Sequence, residues 1–327
     1  MRAMIVRFSR ALLLAPLAFL AAVPAAAQSS DSAAADRYAF TQEYAPDPAI
    51  WVIRDDDTTI YMLGTIHALP RGFRWRSPRI NEVIEESDVL VVETSEYAQA
   101  PDAINADTKL IGRIARREPT SQQLSPAAAA HWRNLVEQSF FPFESIDTMP
   151  VMLALLSLGS TGDGSGTSLS AFGVETILER EFRARRRPIE VIEDSGAVTY
   201  RLLRLENAEI IEDLEARLIA WDGKPIGYFY NSEFEERTGN DYWQAEHAWA
   251  RGEVAEDFSL GFGEGAIGDA LDELLLDRRN TEWAQWLEER LEQPGTTLVA
   301  VGAGHFEGDV SLLVKLRERG IGFERIN

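Results

Sequence analysis

The chain has 327 residues, with 53 acidic against 32 basic side chains, a net charge of −21 at pH 7, four histidines and no cysteine. The missing cysteine excludes disulfides, thiolate nucleophiles and thiolate metal sites. The acidic excess excludes nucleic acid as a partner, because the phosphate backbone repels it.

Residues 1–27 read as a signal peptide. Arg2, Arg7 and Arg10 form a positive start, Ala11 to Val23 an apolar run, and Ala25-Ala26-Ala27 the small residues that precede cleavage before Gln28. The apolar run is shorter than the ~20 residues of a spanning helix, no later stretch reads as one, and no cysteine is present to carry a lipid. The expectation is a mature protein of about 300 residues, periplasmic or extracellular, with no stable membrane anchor. That length suits one large α/β domain or two closely packed lobes. Residues 28–46, rich in Ala, Ser, Asp and Gln, read as a loose linker within a flexible segment over 28–48, and residues 49–327 as the α/β domain.

Within that domain Trp51 to Arg54 and Ile60 to Gly64 flank Asp55-Asp56-Asp57-Thr58 and predict a β-hairpin. Ser77-Pro78 opens a helix through Glu86 that buries Ile80, Val83 and Ile84. Val89 to Val92 is a buried strand that delivers Glu93. Ser125-Pro126 opens a helix through Gln138, and Asp147 to Leu158 is an apolar helix running into a Gly/Ser loop, Gly159 to Ser170, with the flexibility of a lid. A helix from Ala171 to Arg185 precedes a strand, Pro188 to Ile192. One long helix is predicted over 196–220, an aromatic and Glu-rich stretch over Tyr228 to Trp249, and two helical patterns over Asp269 to Leu276 and Thr281 to Leu291. Thr297 to Val301, Asp309 to Arg319 and Phe323 to Ile326 read as strand, helix and short strand. The order implies a mixed α/β sheet with a large helical insertion in its middle region.

Two segments share one arrangement. Ile60 to His67 and Leu298 to His305 each run from an apolar strand through Gly-x-x to a histidine. Strand ends in α/β sheets collect ligands, so His67 and His305, one from each half of the chain, are expected to face one cleft, with Glu93 arriving the same way. Two imidazoles and a carboxylate with an open water position make a candidate centre for a divalent metal such as Mn, Co or Zn. The plainer alternative is that the histidines cap loops. His131 and His247 lie in helical patterns and read as ordinary helix residues.

The segment Leu63-Gly64-Thr65-Ile66-His67-Ala68-Leu69-Pro70 resembles the opening motif of the TraB/GumN family, which includes the TIKI metalloproteases, and Val301-Gly302-Ala303-Gly304-His305-Phe306-Glu307-Gly308 resembles its closing motif. Between them Val92-Glu93, Phe172-Gly173-Val174-Glu175, Pro188 to Asp194, Trp249 to Glu253 and Arg278-Arg279-Asn280 are similar to further family segments, as is Leu312 to Ile321 at the end. Ser311 stands where the family often has glycine. Through the TIKI branch the resemblance implies a metal-dependent protease with His67, Glu93 and His305 at its centre.

In such a site His67 and His305 would be ligands, and Glu93 either the third ligand or the base that activates water. Glu175 is a second candidate carboxylate or a solvated helix-start acid. Arg279 is a candidate for orienting a substrate carboxylate or oxyanion, or an ion-pair partner of nearby acids. No His-Glu-x-x-His, Gly-x-Ser-x-Gly or phosphate-binding Gly-rich loop is present. The expected function is an exported metal-dependent hydrolase acting on a peptide or protein. The alternatives are a non-catalytic binding or regulatory protein of the same fold, or a haem or small-molecule binder.

Overall fold

The computed structural model describes residues 37–98, 112–160, 168–231 and 234–327. The expected signal peptide, residues 28–36 of the segment after it, and the middle of the Gly/Ser loop lie outside the described residues. The strands are β1 (Ile50–Arg54), β2 (Thr58–Thr65), β3 (Leu69–Pro70), β4 (Val89–Val92), β5 (Ser168–Leu169), β6 (Ile189–Val191), β7 (Gly295–Gly302) and β8 (Glu324–Arg325). Six of them form one sheet in the order β6-β4-β7-β2-β1-β8, and β3 and β5 pair separately. Neighbours β2, β7, β4 and β6 run parallel, while β1 is antiparallel to both β2 and β8.

The parallel strands are apolar on both faces because both faces are covered. Alternate residues divide accordingly. Ile50, Val52, Tyr61, Leu63, Leu90, Val92, Leu298 and Ala300 pack with helix α1 (Pro78–Glu86) and with the helix over Val174–Ala184. Trp51, Ile53, Ile60, Met62, Val91, Val299 and Val301 face the opposite way, against Trp283, Leu287, Leu312 and Leu316. Each fully buried Val, Leu, Ile or Met among them contributes roughly 1.5–3 kcal/mol.

The remaining helices are α2 (Pro126–Glu137), α3 (Val151–Ser160), α4 (Val174–Ala184), α5 (Ser195–Leu202), α6 (Ala208–Ala220), α7 (Gln244–Ala250), α8 (Ala266–Asp272), α9 (Arg278–Leu291) and α10 (Leu312–Glu318), with shorter turns between. Trp132, Leu135, Met152, Leu155, Leu214 and Leu271 sit in a core belonging to the helical region alone. None of the helices among the described residues is long and apolar enough to cross a membrane.

Four expected elements differ in extent. The apolar helix begins at Val151 instead of Asp147, because Pro150 breaks the pattern; Asp147 instead accepts from Trp132 Nε1 at 3.0 Å and Ser121 N at 2.7 Å. The helix expected from Ala171 starts at Val174 after a tight turn over Ser170–Phe172. The long helix over 196–220 is two, since Asn207 accepts from Ile210 N at 3.0 Å and starts a new one. The patterns at Asp269 and Thr281, expected as two helices, are continuous. A π-helical turn over Glu273–Asp277 joins α8 to α9, and its extra residue rotates α9 by about 100° relative to an unbroken α-helix.

Residues 37–48, assigned by composition to a flexible segment, pack on the domain. Tyr44 Oη lies 2.7 Å from His247 Nδ1, Trp243 Nε1 donates to the Tyr38 carbonyl at 2.8 Å, and Phe40 sits 5.4 Å from Phe73 between ring centroids. The aromatic residues 38, 40 and 44 supply the apolar surface that the Ala/Ser composition just before them lacks.

Candidate active site

Because β2, β4, β6 and β7 are parallel, their carboxyl ends lie along one edge of the sheet. His67 follows β2 by two residues, Glu93 follows β4 directly, Glu193 follows β6 by two, and His305 lies in the turn after β7. Glycine permits the close approach at the first of these ends: a side chain at Gly64 would stand 3.0 Å from Ala303 Cα. Trp249 Nε1 donates to the Gly64 carbonyl at 2.8 Å and fixes the end of β2.

The two histidines converge. Their Nε2 atoms each lie 3.9 Å from the same atom, Glu93 Oε1. The inner part is buried, with Arg279 1%, Glu93 3% and His305 0% exposed, whereas His67 and Glu175 keep 14% and 15%. The outer pair is therefore the more exposed part of the centre.

Arg279, in the first turn of α9 and facing the sheet edge, organises the inner part. Its Nε donates to Glu193 Oε2 at 2.8 Å, and Nη2 donates to Glu93 Oε2 at 2.5 Å and Glu193 Oε1 at 2.6 Å. Nη1 donates to the Leu275 carbonyl at 3.2 Å and faces His305 Nε2 at 3.1 Å. A guanidinium has five N–H donors, and all five have acceptors inside the protein. Glu193 also accepts from Trp283 Nε1 at 3.2 Å. His305 Nδ1 lies 2.7 Å from Asn280 Oδ1, which can only accept, so Nδ1 carries the proton and the Nε2 lone pair accepts from Arg279.

The outer pair is His67 and Glu175. His67 Nδ1 donates to Glu175 Oε1 at 2.6 Å, and the Thr65 hydroxyl donates to the same oxygen. His67 Nε2 is buried and has no hydrogen-bond partner. Glu175 is placed by the start of α4, where Val174 N donates to the Ile66 carbonyl at 3.0 Å. Gly173 makes that docking possible. A Cβ there would lie 2.0 Å from the His67 carbonyl oxygen, at an unstrained φ of −59°. Gly173→Ala should therefore destabilise the fold by about 1–3 kcal/mol through overpacking alone. Urea unfolding measures this, and an unchanged midpoint would contradict the close approach.

Electrostatics separate the groups. Burial disfavours a charge on Glu93, but Arg279 and the two imidazoles outweigh it and hold the carboxyl at about 2. Burial raises Glu193 against the pull of the same arginine. Burial and Arg279 keep His305 well below its ordinary value and hence neutral. His67 also suffers from burial, yet Glu175 overrides it and raises the imidazole to about 9.

A model of the TraB/PrgY/gumN family matches residues 49–325. The chain belongs to the TraB/PrgY/gumN family. No curated protein and no solved structure matches it. In this family member Ser311, where glycine was expected, sits buried at the start of α10 with φ −62°, a conformation open to any residue.

The side chains do not fit the expected three-ligand metal centre of His67, Glu93 and His305. Arg279 takes the His305 Nε2 lone pair, and Glu93 accepts from Gly302 N at 2.6 Å on one oxygen and from Arg279 on the other. His67 Nε2 is the one open imidazole nitrogen of the pair. Among the described residues no group of three or more His, Asp or Glu is disposed to hold a metal ion. The expectation that Arg279 orients a substrate anion meets the same obstacle, since its donors are already committed. Its alternative, an ion pair with nearby acids, describes the arrangement. His247 and His131 stay outside this centre, with Tyr44 and the Leu218 carbonyl as partners. Glu193 and Asn280 were not singled out from sequence. The strand-end rule that selects Glu93 also selects Glu193, after Pro188 to Ile192.

These groups fix a pH dependence of stability. Glu93 is depressed, so its contribution is complete above the ordinary 4.5 and lost as pH falls toward 2. Glu246 and Glu307 are buried carboxyls raised to about 7 and about 8; their contribution is complete below 4.5 and lost as pH rises through those values. His67, raised, contributes fully below 6.5 and loses that as pH rises through about 9. Stability should peak near about pH 5. Urea unfolding across acid, neutral and alkaline buffers checks this, and a maximum on the alkaline side contradicts it.

Proposed function

We propose that this protein is an exported hydrolase acting on a peptide or protein, with His67 as the group that activates water. The observation that carries this is the His67–Glu175 pair: an imidazole oriented through Nδ1 by a carboxylate, with its Nε2 buried, unpartnered and at the more accessible side of the centre. This is the disposition of a general base whose imidazolium is stabilised by its carboxylate partner. In its unprotonated form, His67 takes a proton from water at Nε2 as the oxygen attacks a carbonyl carbon, and returns it to the departing amine. The products are a carboxylic acid and an amine. The Glu93–Arg279–Glu193 cluster keeps the inner wall rigid and charged while His67 works. The peptide assignment rests on the motif resemblance to the TIKI proteases, whose metal-dependent centre these side chains do not reproduce, and export on the charged, apolar and small-residue order of residues 1–27.

Incubation of the purified protein with a peptide pool, read by mass spectrometry, tests the activity. A base raised by its partner also has a kinetic signature. The rate constant kcat/KM should rise with pH along a limb near the raised His67 value of about 9. Glu175→Gln should move that limb toward the ordinary imidazole range and lower the plateau. A limb that stays in place in Glu175→Gln would remove Glu175 from this role. A second reading, a binding or regulatory protein without catalysis, is favoured by the complete internal pairing of Arg279. Absence of any His67-dependent cleavage would decide for it.

A further inference from the structure

We propose that Arg279 is the built-in cation of this centre: its guanidinium holds the position that a divalent ion would take, and the native protein binds no metal there. Geometry independent of catalysis supports this. Glu93 Oε1 lies 3.9 Å from both His67 Nε2 and His305 Nε2. Two atoms that each ligate one ion at about 2.1 Å are separated by at most about 4.2 Å, so this carboxylate and either imidazole are close enough to share an ion. Beside this carboxylate and His305 stands the Arg279 guanidinium. It satisfies Glu93 Oε2, both oxygens of Glu193 and the lone pair of His305, and Asn280 fixes the His305 tautomer that makes the last contact possible. A positive charge already fixed among two carboxylates repels a second cation and uses the donors that cation would need.

The complementary consequence is that the arginine conceals a latent site. With the guanidinium removed, His305 Nε2 and a Glu93 oxygen lose their partner while His67 Nε2 is already without one, and two buried carboxylates lack a counter-charge. Such a set attracts a divalent ion. The ligand class is a borderline transition metal suited to imidazole and carboxylate, such as Zn2+.

The test uses the purified full-length chain, freed of metal by chelator and dialysed against Zn2+ or Mn2+ alone. Bound metal is measured by elemental analysis and the melting temperature is followed with and without the ion. The expected result is no stoichiometric metal and no metal-dependent rise in melting temperature for the native chain. Arg279→Met should gain about one equivalent of Zn2+ and a higher melting temperature in its presence, and the added change His67→Ala should abolish both. If Arg279→Met does not fold alone, Zn2+ added during refolding should restore the native circular dichroism. Native protein that binds one equivalent, lost on His67→Ala, would overturn the proposal. Failure of Arg279→Met to bind or be rescued by Zn2+ would overturn the latent site. Both readouts concern binding and stability, so they stand apart from whether the hydrolase reading survives.

Discussion

On the alkaline plateau, where its imidazole is unprotonated, His67→Ala should reduce peptide hydrolysis by about 100-fold to 10,000-fold, the range lost when a positioned general base is deleted. The reason for so large an effect is that no other group is equipped to replace it. His305 is neutral and buried, but both of its ring nitrogens have partners. Glu93 is held at about 2 and is a weak base. Glu175 without the imidazole keeps the Thr65 hydroxyl as partner and reaches solvent at 15% exposure, so water replaces the lost hydrogen bond. The fold should survive for that reason. Initial rates on a cleaved peptide, alongside circular dichroism and thermal melting of the variant, make the measurement. A folded variant with activity within tenfold of the native protein would end the assignment of His67 as base.

The second large effect concerns stability. Arg279→Met should cost about 3–5 kcal/mol, the range for breaking a buried ion pair by removing one partner. A domain of ordinary stability has roughly 5–15 kcal/mol in total, so the loss approaches the margin. The mechanism is desolvation. Glu93 and Glu193 were brought out of water against the guanidinium, and a methionine leaves both without a counter-charge while filling much the same volume. Arg279→Lys should fall between the two, because three donors on one nitrogen do not span two carboxylates, a carbonyl and an imidazole. Urea unfolding at neutral pH measures the series. A loss below about 1 kcal/mol in the methionine variant would show that the buried network carries little of the stability.

Much of this centre was legible because it lies where backbone rules are strong. Gly-x-x-His after an apolar strand, and Glu93 directly after another, follow from strand ends alone, and parallel pairing then brings them to one edge. Glu193 obeys the same rule, but its strand is short and only partly buried, so the signal there is faint. The contact between Arg279 and His305 depends on how α9 is rotated, and that depends on the π-helical turn before it. The run Leu274-Leu275-Leu276 is compatible with either an α or a π turn, so the rotation has no local signature. The break at Asn207 was readable from capping chemistry, and the break before Val151 from Pro150. The docking of residues 37–48 was obscured by the small residues preceding Tyr38, Phe40 and Tyr44.

The position of β7 has a consequence for how the chain acquires its shape. β2 and β4 lie close in sequence yet do not pair; residues 295–302 run between them as their shared neighbour. The sheet therefore stays incomplete until nearly the whole chain is available, whatever the helical region has already done. Closing so long a loop adds only a logarithmic entropy term to the equilibrium, but non-local pairing of this kind slows folding. For a polypeptide threaded through a membrane pore in an extended state, one route open to the proposed export, that delay is useful. Premature collapse on the cytoplasmic side would lack its central strand and remain reversible, and the topology makes emergence of the C-terminal segment the event that commits the protein to its native state.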